Sequence, residues 1–175
     1  MDKPMSDLAF WGMSLFFKIR DLLNPPASLL KEAGIGLDSC VLDYGCGPGG
    51  YSLAAAGLAS AGKVYALDVH PLAVRGVQKE ALKRGLANVE AICSGCATGL
   101  PGESIDVVLL YDVLHGLGDP GGVLEELYRV LKPGGILSFS DHHMEEDEIH
   151  SRVTGAGLFR LLGSEKRTYR FSKVA

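Results

Sequence analysis

The chain has 175 residues, of which 47% are hydrophobic and 22% charged, a composition typical of one globular domain with a sizeable core. Its formal net charge of −4 does not suggest the basic surface that nucleic-acid binding needs, so we expect no nucleic-acid partner. Neither a recognisable secretory signal nor an uncharged apolar run of membrane-spanning length is found, so we expect a cytoplasmic protein without stable membrane insertion.

An apolar, aromatic-rich segment opens the chain. Residues Leu8–Leu23 predict a helix that ends at Asn24-Pro25-Pro26, and Ala27–Ala33 predicts a short second helix. We expect residues 1–36 to form a helical cap, which either packs on the body or covers a site. Residues 37–175 are expected to form the main domain.

Strand and helix patterns alternate along the remainder of the chain. The predicted strands are Cys40–Tyr44, Lys63–Asp68, Asn88–Cys93, Ile105–Tyr111 and Ile136–Ser140. The predicted helices are Gly50–Ala61, Leu72–Arg84, one with a stripe of Leu124, Leu127 and Leu131, and one with a stripe of Ile149, Val153 and Ala156. Two final strands, joined across Gly163–Lys166, predict a hairpin. The order predicts an α/β fold with a doubly wound, mostly parallel sheet and an antiparallel edge.

The segment Val41–Ser52 joins a strand, a glycine-rich turn and the start of a helix, as α/β proteins do where they hold nucleotide-like cofactors. The dinucleotide pattern G-x-G-x-x-G is satisfied by Gly45, Gly47 and Gly50. However, Pro48 removes an N–H that a diphosphate would use, and Asp43 adds negative charge nearby. A cationic ligand without phosphate, such as S-adenosylmethionine (SAM), reverses both objections. Asp68, at the end of the second strand, can accept hydrogen bonds from its ribose hydroxyls.

Five motifs occur in a fixed order along the chain. They are D-Y-G-C-G-P-G at Asp43–Gly49, L-D-V at Leu67–Val69, I-D-V-V at Ile105–Val108, V-L-H at Val113–His115 and L-K-P-G-G at Leu131–Gly135. In this order the chain resembles the class I SAM-dependent methyltransferases, especially the small type 11 enzymes related to ubiquinone and menaquinone biosynthesis. The resemblance covers roughly residues 37–140 and implies a Rossmann-like, seven-stranded sheet in the order 3-2-1-4-5-7-6. It also implies SAM as methyl donor and S-adenosylhomocysteine (SAH) as product.

The same resemblance assigns cofactor contacts by position. Around the methionine part it places Asp43, Gly45, Cys46, Gly47 and Gly49. Asp68 would hold the ribose, Val69 would pack on the adenine, and Tyr111 would approach the amino-acid end. The adenine loop contributes Cys96 and Ala97, where the family usually carries Asp-Ala. Because a thiol is a weak acceptor, adenine binding is expected to be weakened or supported by backbone groups instead.

Polar residues follow the fourth and fifth strands, whose carboxyl ends border the ligand site in such sheets. They are Asp112, His115, Asp141, His142 and His143. No catalytic residue is assigned; Asp112, His115 and His142 are candidates if the acceptor must lose a proton. No metal is expected, because Asp141, His142, His143 and His150 lack a recognisable ligand spacing and the pair Cys93 and Cys96 has no second C-x-x-C.

The acceptor is hardly defined by the sequence. Little chain separates the fifth strand from the hairpin, so a lid must come from the N-terminal helix or from a second subunit in a homodimer. Four aromatic residues of the first helix are Phe10, Trp11, Phe16 and Phe17. We expect them either to line an apolar acceptor pocket or to pack in the core. A small or lipophilic acceptor is therefore expected. Two alternatives stay open: a SAM-binding protein without transferase activity, and an NAD(P)-binding Rossmann oxidoreductase.

Overall fold

The computed structural model describes residues 6–23, 26–165 and 168–174. The helices are α1 (Asp7–Leu23), α2 (Ala27–Leu30), α3 (Gly50–Leu58), α4 (Pro71–Lys83), α5 (Pro120–Val130) and α6 (Glu146–Thr154). The strands are β1 (Cys40–Tyr44), β2 (Lys63–Asp68), β3 (Val89–Cys93), β4 (Ile105–Tyr111), β5 (Leu131–Ser140), β6 (Phe159–Glu165) and β7 (Thr168–Lys173). A short 3-10 helix spans Leu114–Gly116 after β4.

The seven strands form one sheet in the order β3-β2-β1-β4-β5-β7-β6, which confirms the predicted topology. The strands β1 to β5 pair in parallel, whereas β7 runs antiparallel to both of its neighbours. The strand order reverses between β1 and β4, and ligands bind at such a switch point, outside the carboxyl ends of the strands.

The central strands are buried because both faces of the sheet are covered. Along β4 successive side chains point to opposite faces, so Val108 and Leu110 join one core while Val107 and Leu109 join the other. The second core is packed against small alanine side chains on and just after α3. The nearly continuous apolar sequence of β4 is thus explained by burial on both sides.

Two predicted boundaries near β5 and α6 are wrong. The fifth strand begins at Leu131 rather than Ile136, because Leu131 already pairs with Ile105 before a register shift. Leu131 therefore belongs to the strand and not to the helix stripe predicted for it. The last helix ends at Thr154, so Ala156 lies beyond it and is exposed.

The hairpin is present, but its first strand is longer than predicted. Gly163, expected in the turn, lies within β6 opposite Arg170, next to a register shift after Leu161. The strand continues to Glu165, and Lys166 lies outside the described residues. Early in the chain α2 is also shorter than expected, because it ends at Leu30 and is followed by turns.

The helix α1 lies across the carboxyl ends of the strands. Phe10 is buried and stacks on the His70 ring with a centroid separation of 4.4 Å, and the carboxylate of Asp7 lies 3.6 Å from Nε2 of the same histidine. Among the described residues, no helix combines the length and apolar character needed to cross a bilayer.

Candidate functional site

The carboxyl ends of β1, β2 and β4, together with α1 and the loops that follow β3, β4 and β5, surround a cavity of about 890 Å³. Of the cofactor-binding and catalytic candidates predicted from the sequence, ten lie in its wall: Gly45, Cys46, Gly47, Asp68, Val69, Cys96, Tyr111, Asp112, His115 and His142. Three others, Asp43, Gly49 and Ala97, do not line it. The volume falls in the range of about 300–1,000 Å³ found for small-molecule and cofactor sites.

The glycine-rich turn is fixed by hydrogen bonds to β2. The N–H groups of Gly45 and Cys46 both donate to the carbonyl of Leu67, at 2.8 and 2.9 Å. Gly45 has φ +78°, and a Cβ there would lie 2.5 Å from Cγ2 of Val113. The turn can therefore pass close to the loop after β4 only because this residue has no side chain.

Gly49 is required by packing rather than by the cavity. It has φ +84°, and a Cβ at this position would lie 2.5 Å from Cγ2 of Val77 on α4. Its motif position was expected to contact the methionine part of the cofactor, but the structure places it where α3 begins and approaches α4.

Asp43 lies behind the turn rather than in the cavity wall. Its side chain is 3% exposed and accepts a hydrogen bond from the Ser52 hydroxyl on α3. Burial raises the pKa of this carboxyl from 3.8 to about 7, with the nearby Asp68 charge adding to the rise and the Ser52 hydrogen bond opposing it. Asp43 can thus act on a ligand in the cavity only indirectly, through the turn.

Asp68 connects the turn, the cavity and α4. One carboxylate oxygen accepts from the N–H of Gly47 at 2.8 Å, and the other accepts from the N–H of His70 at 2.8 Å. His70 in turn caps α4, because its Nδ1 accepts from the N–H of Leu72 at 3.2 Å. The carboxylate is therefore held in one orientation at the cavity wall.

The loop after β3 forms another side of the cavity. The hydroxyl of Tyr44 donates to the carbonyl of Gly95 at 3.1 Å, while Thr98 donates through both its N–H and its hydroxyl to Glu126 on α5. These contacts hold Cys96 in the wall; Ala97 lies outside it and accepts from the Ser94 hydroxyl through its carbonyl.

Cys96 remains a neutral thiol near pH 7. Partial burial raises its pKa, and the negative charge of Asp119 contributes next. Asp119, which caps α5 through a hydrogen bond from the N–H of Gly122 at 2.9 Å, also lines the cavity. Asp119 was not found from the sequence, because it lies outside the adenine-loop motif.

The first histidine–carboxylate pair joins His115 and Asp141. The Asp141 side chain is completely buried and lies 2.9 Å from Nδ1 of His115. It also accepts from the backbone N–H groups of His115 and His143, at 3.2 and 3.0 Å. The His115 ring lies against that of His143, with centroids 4.2 Å apart, and both histidines line the cavity.

The second pair joins His142 and Asp112 nearer the surface. Nδ1 of His142 lies 2.6 Å from Oδ1 of Asp112, and its backbone N–H donates to the same oxygen at 2.9 Å. The other carboxylate oxygen lies 3.6 Å from the guanidinium of Arg20 on α1. The His142 side chain is 54% exposed, against 34% for His115, so the two pairs differ in access to solvent.

The remaining wall is mostly apolar. Helix α1 contributes Phe10, Met13, Phe16, Phe17 and Arg20, whereas Trp11 points away from the cavity and is 63% exposed. Sequence reasoning missed Met13 and Arg20, although their helical spacing from Phe10, Phe16 and Phe17 is the signal that would have found them.

Tyr111 lies where β4 ends, with its hydroxyl 2.7 Å from that of Ser138 and its ring edge-on to Tyr51 at 4.8 Å. Burial raises the Tyr111 pKa far above its usual value, so the phenol stays neutral.

Among the residues that the structure describes, no group of three or more histidine, cysteine or acidic side chains is arranged to hold a metal ion. Cys93 and Cys96 are both free thiols; the first is exposed and the second is half-buried.

Residues 38–165 match the profile of a family described as a methyltransferase domain. The demethylmenaquinone methyltransferase of Geobacillus stearothermophilus is 38% identical over 127 residues, which are 71% of this chain and 54% of that protein. The ubiquinone biosynthesis O-methyltransferase of Burkholderia vietnamiensis is 31% identical over 167 residues, 93% of this chain and 68% of that one.

A SAM-dependent methyltransferase from Aquifex aeolicus superposes with a TM-score of 0.78 at 29% identity, over 90% of this chain and 97% of that one. The chain spans about half of the length of several curated relatives it matches, including the Geobacillus protein. Sequence profile, relatives and fold agree with the ordered motifs: the chain belongs to the methyltransferase-domain family, with the Rossmann-like fold of the class I enzymes.

Proposed function

We propose that the protein is a SAM-dependent methyltransferase that acts on a small, largely apolar acceptor bearing a hydroxyl group. One observation carries the proposal: a single cavity joins the glycine-rich turn and Asp68, on one side, to aromatic side chains and His115, which pairs with the buried Asp141 carboxylate, on the other. A methyl donor and an acceptor can thus meet in one cavity.

The wall fits a cofactor with a positive centre. Asp68 lies in the wall, and Asp43 lies directly behind the turn. Among the described residues, Arg20 is the one lysine or arginine in the wall, and it lies beside Asp112. A diphosphate would meet Pro48, which has no N–H, and the Asp68 carboxylate. When bound, SAM supplies an electrophilic methyl group on its sulfonium.

Each predicted cofactor contact takes a role that follows from its position. Gly45, Cys46 and Gly47 offer a close backbone wall to the methionine part, and Asp68 offers carboxylate oxygens to the ribose. Val69 and Cys96 border the adenine side, and Tyr111 borders the amino-acid end. Asp43, Gly49 and Ala97 do not contact the cofactor directly. Asp43 and Gly49 support the glycine-rich turn, and the Ala97 carbonyl accepts a hydrogen bond that holds the loop after β3.

His115 is the proposed general base. Asp141 accepts from Nδ1–H of the His115 ring, which leaves Nε2 with a lone pair that can take the proton of an acceptor hydroxyl. Asp141 is a positioning residue, because it fixes the ring and its tautomer. Asp112 and His142, the other candidates, lie nearer the surface and are assigned to the rim of the cavity.

The acceptor class follows from the same wall. Phe10, Met13, Phe16 and Phe17 provide an apolar surface, and a general base is needed only where a proton must be lost. The relatives named for demethylmenaquinone and for ubiquinone biosynthesis act on compounds related to quinones. A hydroxylated, apolar ring is the acceptor that we propose here, with the cytoplasm as the site of action.

Calorimetric titration with SAH and with NADH, followed by methyl-transfer assays, tests the proposal. We expect SAH to bind and NADH not to bind, and we expect Asp68→Asn to weaken SAH binding by about tenfold or more, since it weakens a charge-assisted hydrogen bond. Binding of NADH alone would contradict the cofactor assignment.

Labelled SAM is then incubated with 2,3-dihydroxynaphthalene, an aliphatic amine and an aliphatic thiol as probes. Transfer to the dihydroxynaphthalene is the expected result. SAH binding without transfer to any member of a broad acceptor panel would instead support the SAM-binding protein without transferase activity.

A further inference from the structure

Helix α1 has two apolar faces, one directed at the cavity and the other at solvent. The outer face carries six large apolar side chains, each more than half exposed: Leu8, Trp11, Leu15, Phe16, Ile19 and Leu23. Their spacing of mostly three or four residues brings them onto one side of the helix, opposite Phe10 and Phe17. We call these six side chains the outer stripe.

The outer stripe is large for a surface that faces water. Its side chains are 54–84% exposed and run along nearly the whole 17-residue helix, which is about 25 Å long at 1.5 Å per residue. The largest apolar patch on a typical monomer covers about 300–600 Å², and each partner in a standard interface buries about 800 Å². Six such side chains provide much of the area that a stable interface requires.

The charges favour a second copy of the chain as the occupant. No side chain of the outer stripe is charged, and the chain as a whole carries a net charge of −4, which opposes approach to an anionic membrane surface. Helices that lie on membranes pair an apolar face with a strongly polar one, whereas the opposite face of α1 lines the cavity with Phe10, Phe17 and Met13, and among its described residues Arg20 is the one charged side chain in the cavity wall. An uncharged apolar face is complementary to itself under two-fold symmetry.

Gly12 adds a geometric argument. It lies within the outer stripe, between Leu8 and Phe16, and an added Cβ would meet no atom within 4 Å. The packing of a single chain therefore does not require glycine here, although glycine in a helix costs about 1 kcal/mol relative to alanine. Two helices that cross at this point can approach more closely because the side chain is absent.

We propose that the outer stripe is the interface of a homodimer, in which α1 of one copy packs against α1 of another. Phe16 belongs both to the stripe and to the cavity wall, so the second copy also covers the cavity beside this residue. The interface requires no assumption about the reaction, and it gives α1 the support that keeps it over the carboxyl ends of the strands.

Trp11 is the only tryptophan of the chain, so its fluorescence reports directly on the outer stripe. Sedimentation velocity and Trp11 emission are measured on the full chain from about 1 to 100 μM, because dimer formation depends on concentration. We expect a mass of two chains at the upper concentrations and a blue shift of the emission as the dimer forms.

Leu15→Glu is expected to yield a monomer, with the dissociation constant raised by more than about tenfold, because it buries a charge at the centre of the interface. The matched control is Leu82→Glu on α4, where the wild-type leucine is 84% exposed and lies outside both the stripe and the cavity. This variant should remain dimeric. Circular dichroism and thermal unfolding of both variants confirm that each is folded.

Three results would overturn the proposal. One is a monomer at every concentration with a red emission maximum, and another is an unchanged dimer after Leu15→Glu. The third is a monomer whose Trp11 emission shifts only on addition of phosphatidylcholine–phosphatidylserine vesicles, which would make the outer stripe a lipid-binding surface. SAH binding is measured in parallel. A protein that binds SAH but gives one of these three results would contradict the dimer proposal and leave the methyltransferase assignment intact.

Discussion

Nδ1 of His115 lies 2.9 Å from a carboxylate oxygen of Asp141, whose side chain is completely buried. The same carboxylate accepts from two backbone N–H groups, so it is held as an acceptor and the histidine donates to it. This relationship distinguishes His115 from His142, whose partner Asp112 lies nearer solvent and beside Arg20. It also gives the proposed reaction a base of fixed orientation.

His115→Gln is expected to lower kcat for 2,3-dihydroxynaphthalene by about 10²- to 10⁴-fold, the usual contribution of a general base. Asp141→Asn should lower kcat as well, because its amide cannot hold the same ring orientation with both backbone donors satisfied. His142→Gln is the matched control and should lower kcat by less than about tenfold. Steady-state kinetics at saturating SAM provide the measurement.

An acceptor phenol of low pKa distinguishes two possible roles of His115 in the same variants: removing the acceptor proton and maintaining the shape of the site. A nitrocatechol is already ionised near neutral pH and needs no base, so His115→Gln should slow its methylation far less than that of the dihydroxynaphthalene. Equal losses for both acceptors would mean that His115 supports the shape of the site and does not remove a proton.

Asp43 makes stability depend on pH. Its pKa is about 7 in the folded protein and 3.8 in the reference state, so the folded protein binds more protons between these values. The free energy of unfolding contributed by this group is therefore largest below pH 3.8 and falls as the pH rises through 7, by about 4 kcal/mol in total.

Asp43→Asn removes this dependence while keeping an oxygen that can accept from Ser52. Relative to wild type, the variant should gain stability as the pH rises from 5 to 8. Urea unfolding at both pH values measures the difference, with other titrating groups cancelling between the two proteins. A difference that is the same at pH 5 and pH 8 would contradict the raised pKa.

The fold could be predicted because its signals are local. The apolar run of β4 and the alternation of strands and helices fix the elements, and the motif order supplied the strand order that the structure confirms. The boundary of β5 could not be predicted, because the pairing of Leu131 with Ile105 depends on a strand distant in sequence. The same limit applies to the longer first strand of the hairpin.

The sequence predicted which segments of the chain form the site, but it did not predict in which direction each side chain points. Asp43 follows Val41 by two residues, so both lie on the sheet face covered by α3, which keeps Asp43 out of the cavity. The pairing of His115 with Asp141 joins loops from two strands, and the sequence offers no spacing that would reveal it.

Gly49→Ala is expected to destabilise the fold by about 1–3 kcal/mol, because alanine is strained at φ +84° and its Cβ would meet Val77. The matched control is Gly76→Ala within α4, where a Cβ meets no atom within 4 Å. This change should stabilise the protein by up to about 1 kcal/mol, through higher helix propensity. Equal effects of both substitutions on chemical unfolding would contradict the role given to Gly49.

Cys96→Asp tests whether this position faces the adenine. A carboxylate accepts a hydrogen bond from the adenine amino group more strongly than a thiol, so SAH should bind about tenfold more tightly, which corresponds to about 1.4 kcal/mol. The gain is expected to be limited by Asp119, whose negative charge already raises the Cys96 pKa and would oppose a second carboxylate nearby.

Cys93→Asp is the matched control, because Cys93 is exposed and lies outside the cavity wall. It should leave the calorimetric affinity for SAH unchanged. Combining Cys96→Asp with Asp119→Asn should give tighter binding than Cys96→Asp alone, since the repulsion is removed while the acceptor is kept. If Cys96→Asp binds SAH no better than wild type in either background, the thiol does not face the adenine and the loop positions this part of the cofactor through its backbone.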